Sequence, residues 1–157
     1  MPHPALSQDH TAVITGGASG IGLAAAMRFA ALGMKVCIAD VDATRLEDAA
    51  TKLSSIAPDG SAAVMTATVD VSNRESVDQL EDAVRARFGA THVLMNNAGV
   101  GPGNTMFGPR ESWERILGVN LWGIINGTQA FGLNMVAHGQ PGMIINTGSK
   151  QGITTPP

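Results

Sequence analysis

Three glycines with a spacing suited to phosphate binding occur in the stretch TGGASGIG, residues 15–22. A short apolar run precedes them, and an Ala-rich stretch with helical spacing follows. Glycine lets a phosphate approach the backbone, and a helix presents unpaired N–H groups and the positive end of its dipole there. The stretch therefore predicts a dinucleotide-binding loop, although a turn needed only for helix–strand packing is the alternative. The predicted cofactor contacts here are Gly16, Ser19, Gly20, Ile21 and Gly22.

An acidic residue, Asp40, ends the next apolar run, KVCIAD. A carboxylate at this place in a dinucleotide-binding fold accepts hydrogen bonds from the adenosine ribose and would repel a 2′-phosphate. The glycine loop itself contains no Lys or Arg. The sequence thus favours NAD over NADP as the cofactor. Two alternatives stay open, because Arg45 could receive a 2′-phosphate and Asp40 could be a solvated residue at a strand end.

The elements that must position these residues alternate along the chain. Apolar runs predict strands over 11–17, 35–40, 62–71, 92–99 and 142–149, and helical spacing predicts helices over 22–32, 43–56 and 73–88 and one or two within 111–138. The runs are continuously apolar, as in buried parallel strands. Strand–helix alternation with short connections indicates an α/β fold with a Rossmann-type doubly wound parallel sheet, in one domain spanning 1–157.

Capping residues in the sequence predict where some of the helices begin and end. Asp42 is placed to cap the second helix, and Gly33 is placed to end the first. Ser72 and Glu75 have the spacing of a capping box for the third helix.

Composition excludes several classes of partner. The chain of 157 residues has a net charge of −3 and contains no block of Lys or Arg, so neither nucleic acid nor an anionic membrane is indicated. No apolar run is long enough to span a bilayer, and the amino terminus lacks the pattern of a signal peptide.

The single cysteine, Cys37, suits a reducing compartment, so a cytoplasmic location is expected. The four histidines show no metal-ligand spacing, and no metal is expected.

Five motifs occur in order along the chain: Thr15-Gly16-x-x-x-Gly20-Ile21-Gly22, Asp70-Val71, Asn96-Asn97-Ala98-Gly99, Asn120 in GVNLWG, and Ser149 ending INTGS. With these motifs in this order, the chain resembles the short-chain dehydrogenase/reductase family, in its smaller, single-domain branch. The resemblance spans almost the whole chain. It implies an NAD(P)-dependent oxidoreductase that moves a hydride between nicotinamide and an alcohol or carbonyl substrate. It also implies a homodimer or homotetramer formed through long helices, to which 111–138 would contribute.

The resemblance assigns further cofactor contacts. Asp70 and the Val71 backbone would contact the adenine, although Asp70 could instead serve only to cap the helix that follows. The stretch after the fourth strand would line the cofactor cleft, and its amides could also tie neighbouring strands together, a purely structural alternative. The residues assigned in that stretch are Asn97, Ala98 and Gly99.

Two catalytic residues follow from the resemblance. Asn120 would bend its helix and hold a water in a proton relay, or it could be an ordinary helix Asn that bonds a neighbouring loop. Ser149 would donate a hydrogen bond to the substrate oxygen, or it could be a turn serine. Relatives also use a Tyr and, one helical turn later, a Lys that lowers the pKa of the Tyr. The sequence contains no Tyr, and Lys150 lies in the wrong place to be that Lys.

Two interpretations account for the missing pair. The sequence is the amino-terminal portion of a longer enzyme, without the last strands and helices of the family fold, or it is a catalytically inactive nucleotide-binding or interaction module. The first is favoured, because ITTPP ends in the middle of a loop. In either case the 157 residues alone are expected to have negligible dehydrogenase activity, and the substrate is not readable from them.

Overall fold

The computed structural model describes residues 3–101 and 107–149. Its strands are β1 (Thr11–Thr15), β2 (Lys35–Asp40), β3 (Val64–Thr68), β4 (Val93–Asn96) and β5 (Met143–Asn146). Its helices are α1 (Gly20–Ala31), α2 (Ala43–Ile56), α3 (Arg74–Phe88), α4 (Arg110–Leu117) and α5 (Gly123–Ala137). A 3₁₀ turn (Gly60–Ala63) leads into β3, and a π-helical segment (Gly118–Trp122) joins α4 to α5.

The described strands form one parallel sheet in the order β3-β2-β1-β4-β5. The chain first builds outward from β1 to β3 and then returns to the other side of β1 with β4. The strand order therefore reverses between β1 and β4, and ligands of such sheets bind at the carboxyl ends of the strands beside this reversal. The predicted fold class, a Rossmann-type doubly wound parallel sheet, is confirmed.

Helices cover both faces of the sheet. One apolar cluster joins α1 and α2 to alternate residues of the central strands, including Ile14 and Ile38, and a second joins α3 and α5 to Val13 and Leu94. All five residues of β1 are buried, which explains why its three middle residues are continuously apolar rather than alternating with polar ones. Burial also raises the pKa of the Cys37 thiol to about 12, so this side chain acts as a small apolar group.

Several element ends differ from the sequence prediction. β1 stops at Thr15 rather than at 17, because Gly16 adopts a φ of +61° and turns the chain out of the sheet. β3 begins only at Val64, since the residues before it form the 3₁₀ turn. Two predicted caps are confirmed: Gly33 follows α1 with a φ of +76°, and the Asp42 side chain accepts a hydrogen bond from the Arg45 N–H.

The predicted capping box at the start of α3 is wrong. The helix begins at Arg74, and the side chain of Asn73 caps it by accepting from the Ser76 N–H at 3.3 Å. Ser72 lies one residue before this cap, in the turn after β3, where its hydroxyl donates to the Asp70 carboxylate at 2.7 Å.

The long segment predicted as one or two helices is a continuous helical stretch whose middle is π-helical. Within the described ranges, no helix is both long enough and apolar enough to cross a bilayer.

Candidate functional site

The loop between β1 and α1 is packed tightly on one side and open on the other. A Cβ on Gly16 would lie 2.8 Å from the Cα of Ala98, and a Cβ on Gly22 would collide with the Gly16 carbonyl oxygen. Gly20 is different: its φ is +54°, and no atom lies within 4 Å of the place where its Cβ would be. Gly16 and Gly22 thus let the loop pack against the end of β4, and Gly20 leaves the space beside the backbone free.

The first turn of α1 opens onto this space. Ser19 is the N-cap residue, and its side chain makes no capping hydrogen bond in the described structure. The first turn contains no acidic side chain that would offset the positive end of the helix dipole. Ser19, Gly20 and Ile21 all face a common cleft, so the turn is suited to an anionic group such as a phosphate.

Asp40 lies half-buried at the end of β2, next to the glycine loop. One carboxylate oxygen accepts from the Ala18 N–H at 3.3 Å, and the other accepts from the Asp42 N–H at 3.3 Å. The carboxylate is therefore fixed in position by two backbone N–H groups, one in the glycine loop and one just after β2. Each oxygen keeps a further lone pair, which could accept from a ribose hydroxyl.

The ends of β1 and β4 are joined by hydrogen bonds around Thr15. Its hydroxyl oxygen accepts from the N–H groups of Asn97 at 3.0 Å and Ala98 at 3.1 Å. In return, the Asn97 amide donates to the carbonyl oxygens of Thr15 and Gly16, both at 3.1 Å. Thr15 belongs to the glycine motif, but the sequence did not lead us to predict it as a site residue. Its position directly before Gly16 is the signal that could have identified it.

Asn96 ties neighbouring elements together, which is the structural alternative that the sequence allowed for the amides at the end of β4. Its amide donates to the Asn146 side chain on β5 at 2.9 Å and to the Thr128 hydroxyl on α5 at 3.3 Å. Asn97 instead lines the cleft, so the two adjacent amides have different positions.

The turn after β3 forms the opposite wall. The Asp70 carboxylate accepts from the Ser72 N–H at 2.9 Å as well as from its hydroxyl, which shapes the turn and leaves Asp70 exposed. Val71 is buried, and the buried amide of Asn126 on α5 donates to its carbonyl oxygen at 2.9 Å. Sequence reasoning missed Asn126, although a polar residue in the apolar run GIING was a signal of the same kind as Asn120.

Asn120 lies in the π-helical segment and binds the loop after β4. Its side-chain oxygen accepts from the Val100 N–H at 2.8 Å, and its amide donates to the Val100 carbonyl at 3.0 Å. The contact is the one described by the loop-bonding alternative, and the irregular helix is the feature that the family assignment implied. π-helical turns are frequent at functional sites. The role of Asn120 in a proton relay stays a prediction.

These elements surround a cleft of about 560 Å³ at the carboxyl edge of the sheet, within the usual size range of ligand pockets. It is lined by ten of the predicted cofactor contacts, namely Gly16, Ser19, Gly20, Ile21, Asp40, Asp70, Val71, Asn97, Ala98 and Gly99. It is also lined by Val41, Arg45, Val69, Val100 and Val119. Gly22 lies behind the glycine loop, so its part is in the packing of that loop.

The two predicted catalytic residues lie beside this cleft rather than in its lining. Asn120 reaches it through Val100, which is a lining residue. Ser149 lies three residues beyond the end of β5, the strand next to β4, and its side chain is exposed. Lys150 falls outside the described residues. No group of three or more His, Cys, Asp or Glu side chains in the described part of the chain is placed to hold a metal ion.

The cleft fits a dinucleotide on three observations. The backbone beside Gly20 is open, the first turn of α1 carries no acidic side chain, and a fixed carboxylate stands at the end of β2. Together with the reversal of strand order, these features define the class of α/β dinucleotide-binding domains.

Comparison with known proteins identifies the family within this class of dinucleotide-binding domains. The sequence profile of the family described as short chain dehydrogenase matches residues 10–157. The chain is 39% identical to C alpha-dehydrogenase of a Sphingobium species, with 92% of this chain and 47% of that protein covered. It is 38% identical to galactitol 2-dehydrogenase of Agrobacterium fabrum, with 92% and 54% covered.

A solved structure gives the same result. The short chain dehydrogenase/reductase of Burkholderia phymatum in complex with NAD superimposes with a TM-score of 0.89 at 37% identity, covering 97% of this chain and 53% of that one. The chain spans about half the length of these relatives. The protein belongs to the short-chain dehydrogenase family.

Proposed function

We propose that this chain binds NAD and forms the cofactor-binding part of an oxidoreductase that moves a hydride between nicotinamide and an alcohol or carbonyl substrate. The observation that carries the proposal is the cleft, with open backbone at Gly20 on one side and the fixed carboxylate of Asp40 on the other. The NAD in the Burkholderia phymatum relative supports a dinucleotide as the ligand.

Each wall of the cleft has a distinct part in binding. The backbone N–H groups in the first turn of α1 donate hydrogen bonds to the phosphates, and Asp40 accepts hydrogen bonds from ribose hydroxyls. Asp70 and Val71 hold the adenine, while the small residues Ala98 and Gly99 leave room for the nicotinamide ribose. When bound, NAD supplies the hydride-accepting ring, and the protein supplies orientation.

The same proposal assigns the substrate side to Asn120 and Ser149. Ser149 donates a hydrogen bond to the substrate oxygen, and Asn120 holds a water near it. No Tyr is available among the 157 residues to transfer the proton. We therefore expect this chain by itself to bind NAD without oxidising alcohols.

Calorimetric titration of the purified chain with NAD tests the proposal. The matched variants are Gly20→Val and Gly139→Val, because both glycines have positive φ and neither has an atom within 4 Å of its Cβ position. Since the backbone penalty is similar, thermal unfolding should shift comparably in both. Only Gly20→Val fills the cleft, so it should weaken NAD binding at least about tenfold, which corresponds to about 1.4 kcal/mol.

Two results would count against the proposal. Equal NAD affinity in the two variants would show that the ligand does not approach Gly20. NAD-dependent alcohol oxidation by a chain of verified mass would refute the expectation that this chain alone is inactive, and it would leave the assignment of the cofactor standing.

The long helices suggest self-association. Leu133 and Val136 on α5 are 79% and 81% exposed, and they lie on one side of the helix because they are three residues apart. Such a patch is typical of an interface, and we propose that a second copy of the chain covers it. Light scattering should report an oligomer that Leu133→Lys disrupts and that Leu32→Lys, on the other side of the sheet, leaves intact.

For the cell we propose a cytoplasmic location, which suits the buried thiol of Cys37.

A further inference from the structure

We propose that Asp42 is a specificity-determining residue: by holding Arg45 in an ion pair, it keeps the cleft from accepting a 2′-phosphate and so favours NAD over NADP. The inference rests on the proposed function, since it concerns which dinucleotide the same cleft takes.

Arg45 is the basic side chain placed to decide this question. It lines the cleft together with Asp40 and Val41, at the end of β2. Among the described residues that line the cleft, it alone carries a positive charge. A 2′-phosphate on the adenosine ribose would carry a charge of about −1.5 to −2 at pH 7, and an arginine near the ribose is the usual partner for it.

Asp42 occupies Arg45 through both of its carboxylate oxygens. One oxygen accepts from the Arg45 backbone N–H at 3.0 Å, as the N-cap of α2. The other lies 3.1 Å from the Arg45 Nε. Because the backbone bond already fixes the carboxylate, only the Arg45 side chain loses freedom when the ion pair forms. The ion pair is thus built into the start of the helix.

The surrounding charges oppose a phosphate further. The Asp42 N–H donates to the Asp40 carboxylate at 3.3 Å, so two carboxylates and one guanidinium share this corner of the cleft. The corner carries a net negative charge of one, and it repels a dianion while it leaves a neutral ribose hydroxyl unaffected. Removing one carboxylate would make the corner neutral and release Arg45.

The ion pair is exposed to solvent, so its effect is expected to be modest. The side chains of Arg45 and Asp42 are 64% and 39% exposed, and pairs of this kind contribute little to stability. The pair therefore acts on ligand choice more than on folding. The expected change in affinity is correspondingly modest, about fivefold.

The variant Asp42→Asn isolates the charge. Asn is as good an N-cap as Asp, so its side-chain oxygen can still accept from the Arg45 N–H. We expect the ratio of the NADP to the NAD dissociation constant to fall about fivefold relative to the wild type, measured by calorimetry on the full chain. Thermal unfolding checks that α2 is still capped.

Two further variants complete the test. Arg45→Gln added to Asp42→Asn should restore the wild-type ratio of dissociation constants, because the relative gain in NADP affinity depends on the released guanidinium. Asp59→Asn makes the same change in net charge at the far end of α2, roughly 20 Å away, and should leave the ratio unchanged.

The outcomes separate the two proposals. If NAD binds as expected and Asp42→Asn does not change the ratio, the role of Asp42 is refuted and the proposed function stands. The role of Asp42 is also refuted if the relative gain in NADP affinity persists in the double variant, or if Asp59→Asn produces the same gain. If the folded wild-type chain binds neither dinucleotide, both proposals fail.

Discussion

A single hydroxyl, the Oγ1 of Thr15, holds one side of the cleft together. It accepts from two backbone N–H groups at the end of β4, those of Asn97 and Ala98. Thr15→Val keeps the shape of the side chain but leaves both donors without this acceptor. We expect the free energy of unfolding to fall by about 1–3 kcal/mol, measured by urea denaturation, with weaker NAD binding alongside.

The same strand offers a matched control. Thr11, at the other end of β1, is also buried, but its Oγ1 has no hydrogen-bond partner among the described residues. Thr11→Val therefore removes an unsatisfied polar atom and should leave stability unchanged or raise it slightly. Equal losses of stability in the two variants would show that the hydrogen bonds of Thr15 contribute little to the fold.

Residues that a local pattern marks could be predicted, and residues that act through distant contacts could not. Asp40 ends an apolar run and the glycines have a recognisable spacing, so both sets were assigned from the sequence. Asn126 acts on the carbonyl of Val71, a residue 55 positions away. Nothing in the sequence around Asn126 identifies that partner, because the contact exists only once α5 packs beside the turn after β3.

At the scale of whole elements, the order and type of the strands and helices followed from hydrophobic patterning, but several of their ends did not. The end of β1 depends on the backbone angle of Gly16, which the apolar run does not encode. The start of α3 depends on Asn73 rather than Ser72 serving as the cap, since Ser72 lies in the turn that its hydrogen bonds to Asp70 shape. Tertiary or turn geometry decided both ends.

The π-helical segment is the element that connects the substrate side to the cleft. Asn120 makes two hydrogen bonds to the backbone of Val100. Asn120→Ala would remove both, so the loop after β4 should open more often. We expect faster amide hydrogen exchange at Val100 and an NAD affinity lower by about threefold to tenfold, consistent with the loss of one or two modest hydrogen bonds.

Asn134→Ala is the control for this element. Asn134 lies on the same long helix, but its amide donates to Glu81 on α3, away from the lining of the cleft. This variant should lower stability without changing exchange at Val100. Equal exchange at Val100 in the Asn120→Ala variant and the wild type would mean that other contacts hold the loop.

At the scale of the whole molecule, the edge of the sheet opposite the cleft carries a cluster of imidazoles. The rings of His10 and His92 stack with centroids 3.8 Å apart, and His138 lies 5.4 Å from His92. The Nδ1 of His92 accepts from the Thr11 N–H at 3.0 Å, so the proton of the neutral ring is on Nε2, which faces the Gln140 oxygen at 2.7 Å. Both nitrogens are committed, and protonation of Nδ1 would remove the hydrogen bond from the Thr11 N–H.

From this cluster we expect the fold to lose stability as the pH falls below the usual pKa of histidine. Burial holds the pKa of His92 below its usual range, and the charges of His10, His138 and Lys35 lower it further, against a raising effect from Gln140. Below about pH 6.5 the unfolded chain therefore takes up a proton that the folded chain resists, so stability falls as the pH falls. The slope is at most about 1.4 kcal/mol per pH unit for one proton.

Urea denaturation at pH 7.5, 6.5 and 5.5 would measure this slope, with two histidine variants as comparison. In His92→Asn the side-chain oxygen can still accept from the Thr11 N–H, but the group does not titrate, so the slope in this range should shrink even if overall stability is lower. His3→Asn removes an exposed histidine outside the cluster and should keep the full slope. Because the cleft lies at the other edge of the sheet, NAD binding measured where the chain is still folded should not follow the same pH dependence. A wild-type stability that is constant from pH 7.5 to 5.5 would show that His92 takes up its proton in the folded chain as easily as in the unfolded one.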